Sequence, residues 1–381
     1  MAAGPLSIVP VRTKAELERF IRVPMRLNAA DPAWVSPLVS ERMDAFSAKK
    51  NPFFDHADVE MWIAVRDGVD VGRISAQLDH LAPQDPDDGL AGAFGLIAGE
   101  DDPEVFAALF AAAEAWLKAR HVTTVLGPFN LSINEEVGLL VDGFETPPMV
   151  MMGHDPHYAG ARVEEQGYVK VKDVYAYIAD IAHDMPMRVI ERANRDEKRG
   201  VSLRPLDMSR YDAEVAMLTE ILNDAWSHNW GFTPTTEAET RALARSLHQV
   251  VEPKLVWFAE IDGRPAGCLV ALPNVNEAIA DLNGKLLPFG WAKLLWRLKV
   301  KRVKSLRLPL MGVRRDLART LRGQKLPFQM IAAATAEARK LGYELCEFSW
   351  ILEDNTAMRR ICEARGSVLY KTYRIYQKDL V

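Results

Sequence analysis

SLRLPLMGV (Ser305–Val313) opens the most informative stretch of the chain. The run is almost entirely apolar and predicts a buried strand. A short basic loop with Gly323 follows it, and the residues from about 326 to 341 predict a helix that ends at Gly342. YELCEFSWIL (Tyr343–Leu352) predicts a second buried strand. Apolar strands separated by a helix are typical of an α/β protein.

The end of the chain adds one more helix and one more strand. EDNTAMRRICEARG (Glu353–Gly366) predicts a short helix, with Gly366 as its C-terminal stop. LYKTYRIYQK (Leu369–Lys378) predicts the closing strand. The order of elements is therefore strand, loop, helix, strand, helix, strand.

The first half of the chain follows the same plan as the second. Two apolar segments around the turn dipeptide Asp67-Gly68 predict a β-hairpin, helices are predicted at about 103–120 and 156–166, and VKVKDVYAYIAD (Val169–Asp180) predicts a strand. One constant spacing relates the hairpin to the second half, and another relates the terminal segments. The matched pairs are Trp257 with Trp62, Gly263 with Gly68, Gly267 with Gly72, Gly366 with Gly167, Lys371 with Lys172 and Tyr376 with Tyr177.

These matches predict a tandem duplication with one extra segment in each copy. The extra segments are 283–308 in the second copy and roughly 131–152 in the first. The predicted domains are residues 1–182 and 183–381. The alternative is two unrelated α/β domains whose matches arise by chance.

Composition excludes several classes of protein. The net charge of -5 over 381 residues gives no overall attraction for nucleic acid. The three cysteines, Cys268, Cys346 and Cys362, form no close pair, which argues against a disulfide framework or a zinc site and favours a reducing compartment. We expect no signal peptide and no spanning helix, because no apolar run is long enough. The expected location is the cytoplasm.

The segment after Val313 resembles the phosphate-binding loop of the GNAT acyltransferase superfamily. The superfamily pattern V-x-P-x-x-R-G-x-G-x-G/A is only partly kept in VRRDLARTLRG, where Val313 and Gly323 match and Arg319 lies one residue late. The resemblance implies an α/β fold with a mixed α+β sheet and two tandem GNAT-like acyl-CoA N-acyltransferase domains. It also implies an acyl thioester as co-substrate, carried by CoA or by an acyl carrier protein. The implied cofactor-binding residues are Met311, Gly312, Val313, Arg319, Leu321, Arg322, Gly323 and Asn355.

A second superfamily pattern, N-x-x-A-x-x-x-Y-x-x-x-G, fits better. Asn355, Met358, Cys362 and Gly366 hold its spacing. Cys362 stands where the superfamily has its tyrosine acid, so the proton donor must come from elsewhere or be unnecessary. Tyr370 and Tyr373 are the nearby substitutes.

Amine attack on a thioester requires a base and N–H donors for the carbonyl oxygen. Glu347 lies in a predicted buried strand on the same face as Ser349, where burial should raise the carboxylate pKa. Glu347 is the first candidate base, and Glu353 at the strand end is the second. The alternative is that Glu347 pairs with a lysine or an arginine across the sheet.

The first copy is expected to have lost cofactor binding. Glu100, Asp101 and Asp102 stand at the start of its helix and would repel a diphosphate. The first copy would then shape the acceptor pocket, and Asn130, Ser132, Asn134 and Glu135 form either a polar binding patch or a satisfied strand end. His154 and His157 suggest a metal only weakly, since such residues usually belong to a loop, and no metal is predicted.

Residues 283–307 contain eight basic residues and no acidic one. As a helix, this segment would place Leu287, Trp291, Leu294, Leu295 and Leu298 on one side, which is typical of a helix in a membrane interface. The alternative is a core-packing helix with a solvated basic face. Aromatic and amide side chains predicted to bind the acceptor are Trp226, Asn229, Trp230, Phe232 and Trp350, together with Asn130 and Asn134.

The chain resembles a family of bacterial tandem-GNAT acyltransferases, with the bacterial ceramide synthases as the closer likeness. That likeness implies transfer of a fatty acyl group from a thioester to a sphingoid amine. A peripheral position on the inner face of the cytoplasmic membrane is one expected location. One alternative is acetylation of a small polar amine or peptide. Another is a catalytically inactive protein that binds an acyl carrier or a lipid. The sequence leaves the acyl length and the oligomeric state open.

Overall fold

The computed structural model describes residues 4–83, 89–183, 200–248 and 250–380. The chain divides into two compact units. The first unit contains Met1–Val174, Ile279–Gly290 and Lys371–Val381, and the second contains Tyr175–Ala278 and Trp291–Tyr370. As a boundary between two duplicated copies, the cut between residues 182 and 183 stays a prediction.

The elements between residues 4 and 183 follow the predicted order. They are β1 (Leu6–Pro10), α1 (Lys14–Leu27), α2 (Val39–Ala45), β2 (Ala57–Arg66), β3 (Val69–Asp79), β4 (Leu90–Gly99), α3 (Pro103–Lys118), β5 (Val122–Gly127), β6 (Phe129–Asn130), β7 (Glu136–Val137), β8 (Leu139–Asp142), α4 (Ala159–Glu164) and β9 (Val169–Asp180).

The elements after residue 200 are β10 (Val201–Pro205), α5 (Tyr211–Trp226), α6 (Glu237–Leu247), β11 (Val256–Ile261), β12 (Arg264–Pro273), α7 (Val275–Ile279), α8 (Gly290–Trp296), β13 (Ser305–Val313), α9 (Arg315–Ala318), α10 (Leu326–Lys340), β14 (Leu345–Leu352), α11 (Thr356–Ala364) and β15 (Val368–Asp379). They repeat the order of β1 to β5 as β10 to β14, with α7, α8 and α9 added and no counterparts of β6, β7 and β8 among the described residues.

Each unit contains a mixed sheet built in the same way. In the first unit, β1, β2, β3 and β4 are antiparallel neighbours and β5 is parallel to β4. In the second unit, β10, β11, β12 and β13 are antiparallel neighbours and β14 is parallel to β13. The predicted α/β class with two mixed sheets in tandem is confirmed.

The two hairpins share one turn geometry, as the matched sequences predict. Asp67 and Gly68 have φ angles of 50° and 76°, and Asp262 and Gly263 have φ angles of 51° and 78°. Two consecutive positive φ angles are required by the type I′ turn, which joins twisted antiparallel strands. The repeated Asp-Gly dipeptide therefore determines the same local structure twice.

The core of the second unit lies on the face of the sheet that α10 and α11 cover. Leu306 and Leu308 of β13 and Phe348 of β14 pack there with Met330 and Ile331 of α10. Burying each such side chain stabilises the fold by about 1.5–3 kcal/mol. The alternate residues of β13 and β14 point to the opposite face, which contains the polar residues described below.

Candidate active site

The parallel strands β13 and β14 separate before they end. Their pairing runs from Ser305 with Leu345 to Leu308 with Phe348. Both strands then continue, to Val313 and Leu352, without further register between them in the described chain. Pro309 directly follows the last pair, and proline has no N–H to extend a ladder. Beyond this point the edge of β13 that faces β14 has no described pairing with it, and we call the gap between the carboxyl ends of the two strands the cleft.

Glu347 lies at the base of this cleft, on the face of the sheet away from α10. Its side chain is fully buried, and its Oε1 accepts a hydrogen bond from Ser349 Oγ at 2.5 Å. Tyr370 donates its hydroxyl to the other oxygen, Oε2. The structure thus brings together two predicted catalytic residues, Glu347 and Ser349, with a tyrosine that was named as a substitute acid.

Arg307 is the functional residue that sequence reasoning missed. It lies opposite Glu347 in the parallel register and is 1% exposed. Its Nε donates to Ser349 Oγ at 2.8 Å and lies 3.6 Å from Glu347 Oε1, while its guanidinium lies 5.1 Å from the Trp350 ring centroid. A single charge inside the apolar run SLRLPLMGV could have revealed it, because a buried arginine requires a partner. The cross-sheet ion pair considered for Glu347 is present.

The other predicted catalytic residues lie in different surroundings. Tyr373 is 1% exposed and donates its hydroxyl to the Gly153 carbonyl at 3.2 Å in the first unit. Glu353 follows β14, and its backbone carbonyl accepts a hydrogen bond from Arg359 at 2.8 Å. Asn355 caps α11, since its side chain accepts from the Met358 amide at 3.1 Å. Helix capping explains why an asparagine stands at that position.

The loop after Val313 is held by its own hydrogen bonds. The amides of Leu317, Ala318 and Thr320 donate to carbonyls within the loop. A Cβ on Gly323 would lie 1.9 Å from the Leu317 carbonyl oxygen, so this glycine is required by a close backbone approach. Leu321 is 80% exposed, and Val313 is half-buried beside the cleft.

Three arginines of this loop already have partners. Arg314 pairs with Glu220 at 2.8 Å, Arg322 pairs with Asp262 at 2.9 Å, and Arg315 contacts Ser227 and His228. Arg319 is exposed at the turn that follows α9. Of the four, Arg319 is the guanidinium best placed to meet a ligand without first breaking an ion pair.

Helix α3 follows β4, and α10 follows β13 after the short helix α9; the N-termini of α3 and α10 differ. The first turn of α3 is capped by Asp102, whose side chain accepts from the Glu104 amide at 2.9 Å and also pairs with Arg66. The first turn of α10 has no side-chain cap and no acidic residue. A helix N-terminus attracts anions. The uncapped N-terminus of α10 therefore suits a diphosphate, whereas the acidic, capped N-terminus of α3 does not.

The equivalent cleft in the first unit is filled by the chain itself. The Leu96 amide of β4 donates to Asn130 Oδ1 at 2.8 Å, and Gln77 donates to the Phe129 carbonyl at 2.6 Å. A Cβ on Gly95 would lie 1.7 Å from that carbonyl oxygen. Strand β6 therefore occupies the place where a thioester would lie, which agrees with the predicted loss of cofactor binding in this copy.

Asn130 and Ser132 make hydrogen bonds within the end of the strand and do not form an open polar patch. Asn130 also donates to Glu136 at 3.0 Å, and Ser132 Oγ accepts from the Asn134 amide at 3.1 Å. Glu135 accepts from Asn51 at 3.3 Å. Of the two interpretations of this segment, these contacts agree with a hydrogen-bonded strand end.

The first unit also contains buried ionisable groups with shifted pKa values. Burial raises the pKa of Asp155 to about 7 although it accepts from the Leu140 amide at 3.0 Å. Burial and the nearby Arg42 lower the pKa of Arg73 to about 9. Burial also lowers the pKa of His154, whose Nε2 lies 2.8 Å from Asp31 Oδ2. Within the described ranges, no cluster of histidine, cysteine or acidic residues has the arrangement of a metal site.

Four of the residues predicted to bind the acceptor lie at or just after the end of α5, whereas Trp350 is in β14 and Asn130 and Asn134 are in the first unit. Trp226 packs on β13 and donates its indole N–H to the Met311 carbonyl at 3.2 Å. Gly312 lacks a side chain where α5 crosses, since a Cβ there would lie 2.9 Å from Ala225 Cβ. Asn229, Trp230 and Phe232 lie in the turn that follows α5. The structure brings Trp226, Met311 and Gly312 together. Asn229, Trp230 and Phe232 are not part of that contact.

The basic segment forms α8 and a π-helical turn, Arg297–Lys301. The predicted apolar stripe is wrong in part, because Leu294 and Leu298 pack against the core of the second unit. Trp291 and Leu295 stay exposed, and Trp296 and Val300 join them. In the part of the chain that the structure describes, no helix combines the length and apolar character needed to cross a bilayer.

Comparison with known proteins identifies the family. The chain is 64% identical over 375 residues to the bacterial ceramide synthase of Caulobacter vibrioides (strain NA1000 / CB15N), with 98% of each chain covered. It belongs to the bacterial ceramide synthase family. The protein YghO of Escherichia coli (strain K12) is 42% identical over 369 residues, which cover 96% of this chain and 94% of that protein. No protein-family model matches the chain.

Solved structures show the fold of this ceramide synthase family member. A tandem GNAT protein from the clavulanic acid biosynthesis pathway matches with a TM-score of 0.58 and 14% identity, covering 98% of each chain. The fold is therefore the tandem GNAT fold, and with the family membership the protein is an acyltransferase.

Proposed function

We propose that the protein transfers a long-chain acyl group from an acyl-CoA thioester to the amine of a sphingoid base, which forms a ceramide-type amide. The observation that carries this proposal is the separation of β13 and β14 after Leu308 and Phe348. A cleft between two strands offers backbone hydrogen bonds to an extended ligand along one edge. The pantetheine arm of CoA is an extended chain with amide groups of that kind.

The donor is held by the residues just past the cleft. Backbone groups of Met311, Gly312 and Val313 would receive the pantetheine and the thioester carbonyl. The uncapped N-terminus of α10 and the exposed Arg319 would receive the diphosphate, with Arg322, Leu321 and Gly323 shaping the loop and Asn355 at the start of α11. CoA is favoured over a carrier protein because this positive charge suits a compact diphosphate.

The chemistry is direct attack of the amine nitrogen on the thioester carbonyl carbon. A base takes a proton from the ammonium group, the C–N bond forms, and the thiolate leaves as the C–S bond breaks. Glu347 is the proposed base, with Ser349 beside it. Glu353 and Tyr373 stay predictions of lower rank, since Glu353 follows the end of β14 and the Tyr373 hydroxyl donates to the Gly153 carbonyl.

The proposal of a sphingoid acceptor rests on the family and on the aromatic end of α5. The Caulobacter relative is named a bacterial ceramide synthase, and most of the length of both chains aligns. Trp226, Trp230, Phe232 and Trp350 would contact the hydrocarbon part of the acceptor, while Asn229 is the proposed polar contact. Aromatic side chains supply large apolar contact area at low entropic cost.

The test is an acyl-transfer assay with purified protein. Acetyl-CoA and palmitoyl-CoA are each incubated with a panel of amines that includes a sphingoid base and small polar amines, and thiol release is recorded with mass spectrometry of the amide. We expect turnover with the long-chain thioester and the sphingoid base. Turnover with acetyl-CoA and a polar amine would instead assign a small-molecule acetyltransferase.

We also propose that the exposed face of α8 and its π-helical extension contacts an anionic membrane surface. Trp291 is 53% exposed, Trp296 is 52% exposed and Val300 is 67% exposed. Lys293, Lys299 and Lys301 are exposed between them. Tryptophans prefer the headgroup region, and each lysine near an anionic surface contributes about 1 kcal/mol.

A flotation assay tests this contact. Wild type, the double variant Trp291→Glu/Trp296→Glu and the control Val169→Glu, which replaces an exposed residue of β9, are mixed with vesicles containing phosphatidylglycerol. We expect flotation of the wild type and the control but not of the double variant. Equal flotation of all three would remove this segment from the membrane contact.

A further inference from the structure

The buried position of Glu347 limits how it can act. Its side chain is fully buried, beneath Arg307 at 1% and Ser349 at 3% exposure. An acceptor amine cannot reach a carboxylate with no accessible surface. Because the proposed reaction needs a proton to leave the ammonium group, the proton must reach Glu347 through another side chain.

Tyr370 is the contact of Glu347 that is partly exposed. Its hydroxyl donates to Glu347 Oε2, whereas Glu347 Oε1 faces Ser349 and Arg307. Ser349 is 3% exposed, and its hydroxyl lies between the arginine and the carboxylate. The two oxygens of Glu347 therefore have separate surroundings, one with the ion pair and one with the phenol.

We propose that Tyr370 is a catalytic residue that contacts the reacting amine and passes its proton to Glu347. This inference rests on the proposed function and specifies how the site works. It assigns Glu347 the role of proton acceptor behind the phenol, and it assigns Arg307 and Ser349 the role of positioning residues.

Two protons leave the nitrogen in the proposed reaction. The ammonium group first passes one proton to the Tyr370 oxygen, while the phenolic proton moves to Glu347 Oε2, and the neutral nitrogen then attacks the thioester carbon. When the C–S bond breaks, the thiolate takes the second proton from that nitrogen, and Glu347 releases its proton through the phenol to water. The carboxylate ends as it began, and the products are the amide, the free thiol and one proton in solution.

Arg307 prepares the carboxylate for this role. Its guanidinium lies 3.6 Å from Oε1, and this arrangement leaves Oε2 to the tyrosine. Ser349 holds the arginine and the carboxylate in this arrangement.

The experiment compares Tyr370→Phe with wild type across pH. The control is Tyr211→Phe, which removes a hydroxyl that donates to the Ala244 carbonyl at 2.9 Å, at the other end of α5 from Trp226. We expect Tyr370→Phe to lower kcat at about pH 7 by roughly 100-fold with KM for acyl-CoA unchanged. The loss should shrink towards about pH 9.5, where more of an amine with a pKa near that of lysine, about 10, is already deprotonated.

Other outcomes overturn the inference. A loss of the same size at every pH would indicate a structural role for Tyr370. Full activity of Tyr370→Phe together with inactivity of Ser349→Ala would show that the proton passes through Ser349 and not through Tyr370. Absence of turnover by wild type with every thioester and amine would instead contradict the proposed function itself, so the two failures are distinguishable.

Discussion

At the residue scale, the site depends on one buried ion pair whose two members differ in how visible they are in the sequence. Glu347 could be predicted, because a carboxylate inside an apolar strand is rare unless it is paired or functional. Arg307 was missed because pairing between strands cannot be read from one strand alone. The parallel register between β13 and β14 supplies that missing information.

Breaking this pair is expected to destabilise the protein more than removing it. Glu347→Gln leaves the guanidinium of Arg307 buried beside a neutral amide, at a cost of about 3 kcal/mol of unfolding free energy. The double variant Arg307→Met/Glu347→Gln should recover most of that loss, because no unpaired charge remains. Chemical denaturation measures both. Equal stability of the single and double variants would contradict the pairing.

Asp155 is expected to make stability depend on pH. Its pKa in the folded state, about 7, lies above the unfolded value of about 4. The folded state therefore holds an extra proton between these values, and stability falls as the pH rises from about 4 to about 7. Asp155→Asn should remove this fall and stabilise the protein by about 1–2 kcal/mol at pH 8, after allowance for partial exposure of the group.

Thermal unfolding at pH 5 and pH 8 measures this effect. The control is Asp142→Asn, an exposed aspartate on β8. We expect the control to follow the wild type at both values of pH. A pH profile of Asp155→Asn that parallels the wild type would refute the raised pKa.

At the element scale, strands and helices were predicted well where pattern and end signals agree. The strand Ser305–Val313 has the predicted bounds, and α10 ends within two residues of the prediction. Before the polar segment of the first copy, β5 ends at Gly127 and the two-residue strand β6 follows Pro128. Proline cannot donate a ladder hydrogen bond, so the strand could not continue.

The basic insertion shows what amphipathic pattern cannot decide. Helical spacing places Leu294, Leu295 and Leu298 near one side, and the prediction treated them as one surface. In the structure, Leu294 and Leu298 pack against the core, whereas Leu295 is 41% exposed. Which part of a wide apolar face is buried depends on what it packs against, and that information lies elsewhere in the chain.

The contact between α5 and β13 predicts a sensitive glycine. Gly312→Ala would place a Cβ 2.9 Å from Ala225 Cβ and 3.2 Å from Leu222 Cδ2, so the helix or the strand must move. We expect a loss of about 1–3 kcal/mol in stability and lower acyl transfer. Gly153→Ala is the control, since its nearest atom would lie 3.8 Å away. Unchanged stability and activity of Gly312→Ala would show that this contact does not hold the cleft.

At the scale of the whole molecule, the sequence predicted two copies of one plan. It did not predict how the cleft of the first copy is filled. Repeated Asp-Gly turns and matched glycines predicted two copies of one plan, and each unit has the same order of strand pairing. Acidic residues before α3 predict that the first copy has lost its cofactor site, and this stays a prediction. That β6 fills the cleft of the first unit could not be predicted, because it depends on a side-chain contact from Asn130 to Leu96.

The most direct test of the central claim is a crystal structure of the protein with a non-cleavable thioether analogue of palmitoyl-CoA. The account predicts one analogue per chain, with its pantetheine along Leu310–Val313 and its diphosphate at the start of α10. An analogue bound in the first unit beside β4, or one that leaves β13 and β14 untouched, would contradict it.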